Sequence, residues 1–413
     1  MAAPTYQVIV YFGTSTTGAG SFILDHPTAG LLDSVSYLLG GDTGTDVASD
    51  AISIKVNRGR SSQIFSAFNA GTATVQLNNE DRTYDPLYTA GPLAGNLKPG
   101  KRVTVIASGV TIFDGRIADW QLAFDVNGRS VATMVCEDAL ATLARKQFAA
   151  WTGTASETSG GRVTSVLNRA EVSWSGAARA IDTGRSTMQA DSISAGTNAL
   201  NYLQTVARAE NGALFASRTG LVTFKDRSSL FTSTATVQFD ATNTNIPFQT
   251  VGVTSGMDTY YTRVQVTRTG GTTQAYQMAS ATTDDIVSLS LDGLPLADDT
   301  QAYEMASYLA NVYSSGDARI SSVGTSVDDQ ILTTTEINQL LSTELTDLIT
   351  LTWAPNNVGT PVAYTAIVDG ITHDAFPGRH TVTLQLGPAT SRQPFTLDSA
   401  TFGLLDGTSL LVF

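Results

Sequence analysis

The chain has 413 residues, enough for about two to four domains, and its 37 acidic side chains against 24 lysines and arginines give a formal net charge of −13. That balance excludes the basic surface with which proteins wrap nucleic acid, and the single cysteine, Cys136, excludes an intrachain disulfide. No apolar run reaches the about 20 residues of a membrane-spanning helix. Because the N-terminus shows no signal peptide, we expect a soluble chain that is made in a cytoplasm.

Residues 1–148 are expected to form a first small β-barrel and the helix that follows it. Apolar and polar side chains alternate through residues 5–136, which is the period-two pattern of half-buried strands. Clusters of Gly, Asn, Asp and Pro separate the runs, as in a small barrel or sandwich. Cys136 falls in one run, where a small buried side chain is expected. An amphipathic helix is predicted from Glu137 to Phe148.

Residues 149–250 are expected to form an α+β domain. Its first segment, 151–161, is polar and rich in Gly, Ser and Thr, which predicts a linker. A helix is predicted over Thr197–Glu210, with its first residue as the N-cap and Gly212 ending it. Two short apolar runs around an Arg-Thr-Gly turn then predict a β-hairpin over 213–224.

Residues 251–390 are expected to form a second β-barrel, because the alternating pattern resumes there around one predicted helix, Thr300–Tyr313. The last segment, 391–413, ends on four apolar residues. Chain termini are usually polar. This segment is therefore expected either to dock on its own domain or to pack against a partner subunit, since exposed apolar patches mark interfaces.

A short pattern of the first barrel recurs in the second. In each copy an apolar run leads into Asp-Gly, a short strand follows, and a Gly-Arg turn precedes an alternating strand, over Ile112–Cys136 and Ile367–Leu386. The pairs Asp114-Gly115 and Asp369-Gly370 are typical of hairpin turns. Chance similarity of two ordinary hairpins is the alternative. Since internal repeats set the architecture, we predict two related β-barrels and a helix-and-hairpin α+β insert in a mainly β chain.

No motif for catalysis or metal binding is found. The chain lacks His-Glu-x-x-His, paired cysteines, a phosphate-binding Gly-rich loop and Gly-x-Ser-x-Gly. His373 and His380 flank the second Gly-Arg turn and are expected to be exposed turn residues. Most aspartates fall in turns, where their own backbone hydrogen bonds explain them. We therefore expect no enzymatic activity, no cofactor and no metal.

Two sets of residues are candidates for contacts with other subunits. The first consists of arginines beside turns, for which ordinary solvated side chains are the alternative: Arg58, Arg60 and Arg116. The second consists of apolar side chains of the C-terminal segment: Phe402, Leu404, Leu405, Leu411 and Phe413.

Several stretches carry a family resemblance: Val56–Ser62, Gly71–Pro86, Leu97–Gly100, Phe113–Ile117, the link from Asn211 to Leu221, and the closing Phe395–Asp406. In this order they strongly resemble minor tail proteins of long-tailed actinobacterial phages, of the baseplate or tail-tip hub class. The shared motifs are structural turns, so they identify a family better than a chemistry.

The resemblance implies a homotrimeric, tail-hub-like virion protein with two small β-barrels per chain. Such a hub joins the tail tube or distal tail ring and the tape-measure protein to other minor tail or receptor-binding proteins. It closes the channel until ejection and meets DNA only in transit. The alternative is a carbohydrate-binding or carbohydrate-cleaving tail protein that acts on the host envelope. That activity needs clustered aromatic side chains and two opposed carboxylates, and only Trp151 and Trp174 border loops.

Overall fold

The computed structural model describes residues 5–12, 20–21, 37–38, 44–60, 67–126, 128–230, 235–241, 244–256, 260–279, 281, 286–314 and 319–389. Strands dominate these ranges, and five α-helices accompany them. None of the helices in these ranges is long and apolar enough to cross a membrane.

The first part of the chain folds into a curled antiparallel sheet. Its elements are β1 Tyr6–Val10, β2 Gly20–Ser21, β3 Tyr37–Leu38, β4 Thr45–Asp46, β5 Ala51–Gly59, β6 Asn69–Asn78, β7 Arg102–Ala107, β8 Val110–Phe124, β9 Ser130–Glu137 and helix α1 Ala139–Ala144. Seven strands pair in the order β5-β6-β9-β8-β7-β1-β4. The two ends of this path, β4 and β5, are consecutive in the chain, so the sheet curls back on itself in a barrel-like form. We call it the first half.

The middle of the chain is compact rather than a linker followed by a domain. Its elements are β10 Trp151–Gly153, β11 Glu157–Thr158, α2 Ser159–Asn168, β12 Arg179–Ile181, β13 Thr187–Met188, β14 Asp191–Ile193, α3 Ala199–Glu210, β15 Ala213–Ala216 and β16 Val222–Lys225. The linker predicted for 151–161 is wrong, since two strands and the start of α2 fill it. The predicted helix and hairpin are present as α3, β15 and β16. The N-cap of α3 is Asn198, not Thr197, and Asn211 ends the helix in the left-handed region at φ 53°.

The rest of the chain supplies a second curled sheet and further parts of the middle module. The elements are β17 Val237–Asp240, β18 Ile246–Pro247, β19 Thr250–Thr254, β20 Arg263–Arg268, β21 Gln274–Gln277, β22 Ser288–Leu294, α4 Asp299–Tyr313, β23 Arg319–Ser326, α5 Thr334–Ser342, β24 Leu348–Trp353, β25 Val362–Phe376 and β26 Arg379–Pro388. The order β18-β17-β24-β25-β26-β23-β19 forms the second half. Here too the path ends on consecutive strands, β18 and β19.

Two hydrophobic cores underlie this arrangement. One runs through both curled sheets and α5, and the other lies among α1, α2, α3, α4 and the small sheet β21-β20-β22. The hairpin β15–β16 serves both, because Phe215 faces the first core while Leu214 and Ala216 face the second. Helix α4 thus packs with the middle module. The prediction from the sequence had assigned this helix to the second barrel, over residues 251–390.

The repeated pattern corresponds to two long hairpins, β8–β9 and β25–β26, whose first strands both have 15 residues and a bulge. The turns predicted at the two Asp-Gly pairs are wrong, since both lie inside continuous strands. The aspartates are used in cross-strand ion pairs, Asp114 with Arg102 and Asp369 with Arg60. The glycines allow close approach of backbone. A Cβ on Gly115 would lie 2.4 Å from the Glu137 carbonyl oxygen.

The two halves share backbone hydrogen bonds. Strand β25 pairs with β24 along its first part and with β5 along its second, from Gly370 opposite Gly59 to Ala375 opposite Ile54. This pairing, which we call the seam, joins both halves into one 14-stranded sheet.

Candidate functional site

Arg58 lies at the point where the two halves and the middle module meet. Its side chain is 3% exposed and forms an ion pair with Glu344, in the loop between α5 and β24. The same guanidinium donates a hydrogen bond of 3.1 Å to the carbonyl oxygen of Ala216 on β15. One arginine of β5 therefore fixes the second half and the middle module at once. The sequence placed Arg58 beside a turn but gave no sign of this burial.

Glu344 completes the junction from the other side. Its carboxylate accepts hydrogen bonds from the backbone N–H of Arg218, at 2.8 Å, and of Leu345, at 2.9 Å. Its own backbone N–H donates to Asp347, whose pKa is raised by desolvation. Charge-assisted hydrogen bonds of this kind are stronger than neutral ones, so the loop before β24 is held firmly against the hairpin β15–β16.

Asp138 is a second buried acid near Arg58. It accepts hydrogen bonds from the backbone N–H groups of Gly71, at 2.6 Å, and Leu140, at 2.9 Å, and it caps helix α1. Burial raises its pKa to about 6, while these hydrogen bonds and the charge of Arg58 act in the opposite direction. The link from β9 to the middle module thus depends on a carboxyl group that titrates near neutrality.

Arg60 forms a parallel link at the end of the seam. Its Nε and Nη2 donate to one carboxylate oxygen of Asp369 at 3.2 and 2.9 Å. Its guanidinium lies 4.6 Å from the ring centroid of Phe68, and that ring is 5.6 Å from the ring of Phe215 in the shared hairpin. The side chain is 14% exposed.

The other predicted contact residues have different positions. Arg116 is exposed and donates to the carbonyl oxygen of Gly100 at 2.8 Å. The apolar candidates of the C-terminal segment, Phe402, Leu404, Leu405, Leu411 and Phe413, lie outside the described residues. Arg58 and Arg60 are engaged within the chain and are not the solvated turn arginines of the alternative interpretation. A role in subunit contacts stays a prediction for the whole set.

His373 and His380 are not exposed turn residues, and that expectation is wrong. They are 2% and 1% exposed, because the turn itself consists of Pro377 and Gly378 and both imidazoles point inward from the strands. His373 Nδ1 lies 3.1 Å from His380 Nε2. Desolvation lowers the pKa of both, that of His373 well below its usual range and that of His380 to about 4.

The structure shows where the cysteine and the two loop tryptophans lie. Within the part of the chain that the structure describes, no three His, Cys, Asp or Glu side chains converge on a possible metal position. Cys136 is buried, as predicted, and burial raises the pKa of its thiol. Trp151 packs against Phe148 and Tyr202, and Trp174 donates to the carbonyl oxygen of Ala178. Trp174 is only partly buried and also lines an open cleft that includes Asp114 and Asp138.

Hairpin ends in both halves carry exposed apolar side chains. The tip of β8–β9 carries Phe124, 56% exposed, and Val126, fully exposed. The tip of β25–β26 carries Phe376, 47% exposed, and the turn between β24 and β25 carries Val358, 74% exposed. Apolar residues close to the two Gly-Arg turns, Phe124 and Phe376, are the signal in the sequence that could have predicted these tips.

Comparison with known proteins gives similarity in structure only. The sequence matches no family model and no curated protein. A 43 kDa tail protein of prophage MuSo2 from Shewanella oneidensis matches with a TM-score of 0.56 and 10% identity, over 85% of this chain and 96% of that chain. A tail protein from Neisseria meningitidis MC58 matches with a TM-score of 0.58 and 9% identity, over 92% and 96%.

The chain has the fold of these tail proteins. At such low sequence identity the similarity shows a shared fold and does not show a shared function. It extends over both halves and the middle module together, because it covers most of each chain. The prediction of a mainly β, tail-hub-like fold with an α+β insert is confirmed.

Proposed function

We propose that the chain is a structural protein of a phage tail tip, a trimeric hub that joins the tail tube or distal tail ring to the host-binding apparatus and closes the DNA channel until ejection. The observation that carries this proposal is the fold shared with two tail proteins over 85% and 92% of the chain. The resemblance of its turn motifs to minor tail proteins of long-tailed actinobacterial phages supports the finer assignment.

The duplicated architecture fits a ring. Three chains, each with two related halves, present six similar units, so a threefold assembly meets a sixfold tube. Such a ring requires the two halves of one chain to keep a fixed orientation. The seam and the buried ion pair of Arg58 with Glu344 supply that rigidity.

We infer the partners of the hub from its exposed apolar side chains and its net charge. The exposed apolar tips at Phe124 and Phe376 are suited to contacts with neighbouring subunits or with the distal tail ring. A net charge of −13 disfavours binding of phosphates, so DNA would pass without being held. The tape-measure protein and receptor-binding proteins would contact opposite faces of the ring. The role is structural, without bond chemistry, and the protein resides in the virion after assembly in the host cytoplasm.

The solution mass of the full-length protein tests the proposal. Light scattering after gel filtration should give about 130 kDa, three times the chain mass of 43.4 kDa, and negative stain should show rings. The double substitution Phe124→Asp and Val126→Asp should shift the mass toward the monomer. A matched control is Tyr303→Asp, which changes a 45% exposed side chain on α4 in the middle module and should leave the trimer intact.

A monomer at every concentration, with no rings after addition of a distal tail protein, would contradict the hub. Binding to host envelope glycans by that monomer would then favour the carbohydrate-binding alternative.

A further inference from the structure

The buried histidine pair lies where the two halves meet. His373 on β25 is directly opposite Val56 of β5 within the seam. His380 on β26 has its ring 5.6 Å from the ring of Tyr6 on β1, and the imidazoles are 5.3 Å apart, centroid to centroid. The pair therefore contacts strands from both halves, although both histidines belong to the second.

The hydrogen bond between the two rings requires that one of the two facing nitrogens carries no proton. One ring must donate and the other accept across the 3.1 Å between His373 Nδ1 and His380 Nε2. The remaining nitrogen, His380 Nδ1, is buried without a hydrogen-bond partner, as is the hydroxyl of Tyr6. If His380 Nε2 is the donor, a proton added to Nδ1 creates a buried N–H with no acceptor. If both rings are protonated, both facing nitrogens are donors and the hydrogen bond between the rings is lost.

We propose that this pair is an acid-sensitive latch: the two halves stay joined while both imidazoles are neutral, and their protonation loosens the pairing of β5 with β25. The inference concerns the fold of this chain and does not depend on the proposed function.

The charged and titratable groups around the pair do not all act in the same direction. From β5, the charge of Arg58 lowers the pKa of His373 further, and burial raises the pKa of Tyr6 on β1, which stays neutral. Farther away, Asp138 titrates in the opposite sense, because its carboxyl group is protonated more readily in the fold. An open groove lined by Tyr6, Ile54 and Ala375 lies beside this end of the seam.

The direction of the pH effect follows from linkage. The folded pKa of His380, about 4, lies below its ordinary value of 6.5. The contribution of the pair to stability is thus fully present above pH 6.5 and is lost as the pH falls toward 4. For His380 alone, the equilibrium constant for opening of the seam should rise about 20-fold between pH 7 and pH 5.

Two measurements on the full-length protein test the latch. The first is a titration of ¹³C-labelled histidine by NMR, with free histidine as the reference. The imidazole of His380 should stay neutral down to about pH 4, and that of His373 should stay neutral well below its ordinary pKa of 6.5. The second is hydrogen exchange, corrected for the intrinsic effect of pH. Exchange should rise on acidification in 54–59 of β5 and in 370–376 of β25, and not in Val131–Cys136 of β9.

Substitution identifies the cause. The double variant His373→Asn and His380→Asn should lose the acid-induced exchange at the seam, whereas His26→Asn should keep it. Equal acid-induced exchange in the double variant would overturn the proposal, and so would imidazoles that titrate near 6.5 with an unchanged seam. If the double variant does not fold, the wild-type data decide. The loss of seam protection must then share its midpoint with the titration of the two buried imidazoles, and separate midpoints would overturn the latch.

Discussion

Replacement of Glu344 by Gln should destabilise the chain strongly, because it leaves the charge of Arg58 buried and unpaired. The guanidinium-bearing side chain is 3% exposed, and Glu344 is 19% exposed. Removing one partner of a buried pair costs about 3–5 kcal/mol. The partial exposure of Glu344 and the hydrogen bond from Arg58 to Ala216 put the expected loss near the lower end, about 3 kcal/mol.

Equilibrium unfolding in urea, followed by circular dichroism, measures this loss as a change in the free energy of unfolding. The matched control is Arg145→Gln, which breaks the ion pair of Arg145 with Glu137, whose side chains are 63% and 29% exposed. An exposed pair is worth at most about 1 kcal/mol. The double substitution Arg58→Met and Glu344→Met should recover most of the loss, since apolar replacement of both partners removes the buried charge.

The reasoning is refuted if Glu344→Gln costs no more than Arg145→Gln. It is also refuted if the double substitution is as unstable as the single one, because the unpaired charge would then not be the cause of the loss.

Three further predictions concern packing and pH. Gly115→Ala should cost about 1–3 kcal/mol by overpacking, since the new Cβ would meet the Glu137 carbonyl at 2.4 Å, whereas Gly256→Ala, with open space around it, should be neutral in thermal unfolding. Leu203→Ala, in the core of the middle module, should cost about 2–5 kcal/mol in urea unfolding. The raised pKa of Asp138, about 6, means that its contribution to stability is present below pH 4 and lost as the pH rises through 6. Stability measured at pH 4 and at pH 7 should therefore show an Asp138 contribution that differs by about 2 kcal/mol, and Asp138→Asn should remove this difference.

Much of the fold could be predicted from the periodicity of apolar residues and from helix-capping residues. The pattern of α3 predicted its end at Glu210, and the spacing of apolar residues predicted α4 within one residue of its start at Asp299. Helix α5 was missed, although Thr333 and Glu336 form a capping box that the sequence displays. Helix α2 was missed for a different reason. It begins Ser-Gly-Gly, and Gly160 is required because a Cβ there would lie 1.7 Å from the Asp182 carbonyl oxygen.

The candidate site was harder to predict, because long-range contacts decide it. Arg58 and Glu344 are 286 positions apart, and nothing local in the sequence distinguishes them from solvated charges. The histidines were misjudged because a Gly-Arg turn marks where a hairpin reverses but does not reveal which face of the strand is buried. The Asp-Gly pairs show the same limit. The local chemistry of Asp-Gly favours a turn. In the fold, however, each pair lies inside a long strand, where the aspartate forms an ion pair with an arginine.

The sharing of β25 between the halves has a mechanical consequence. Backbone hydrogen bonds, rather than side chains alone, carry a load from one half to the other, because β25 has β24 and β5 along one edge and β26 along the other. A pull along the strands would strain the β5 pairs from Ile54 to Gly59 together as a shear, whereas a pull across them would break the pairs one after another. Resistance to force should therefore depend on direction, and a force applied at either hairpin tip along the strand axis should deform both halves as one elastic body.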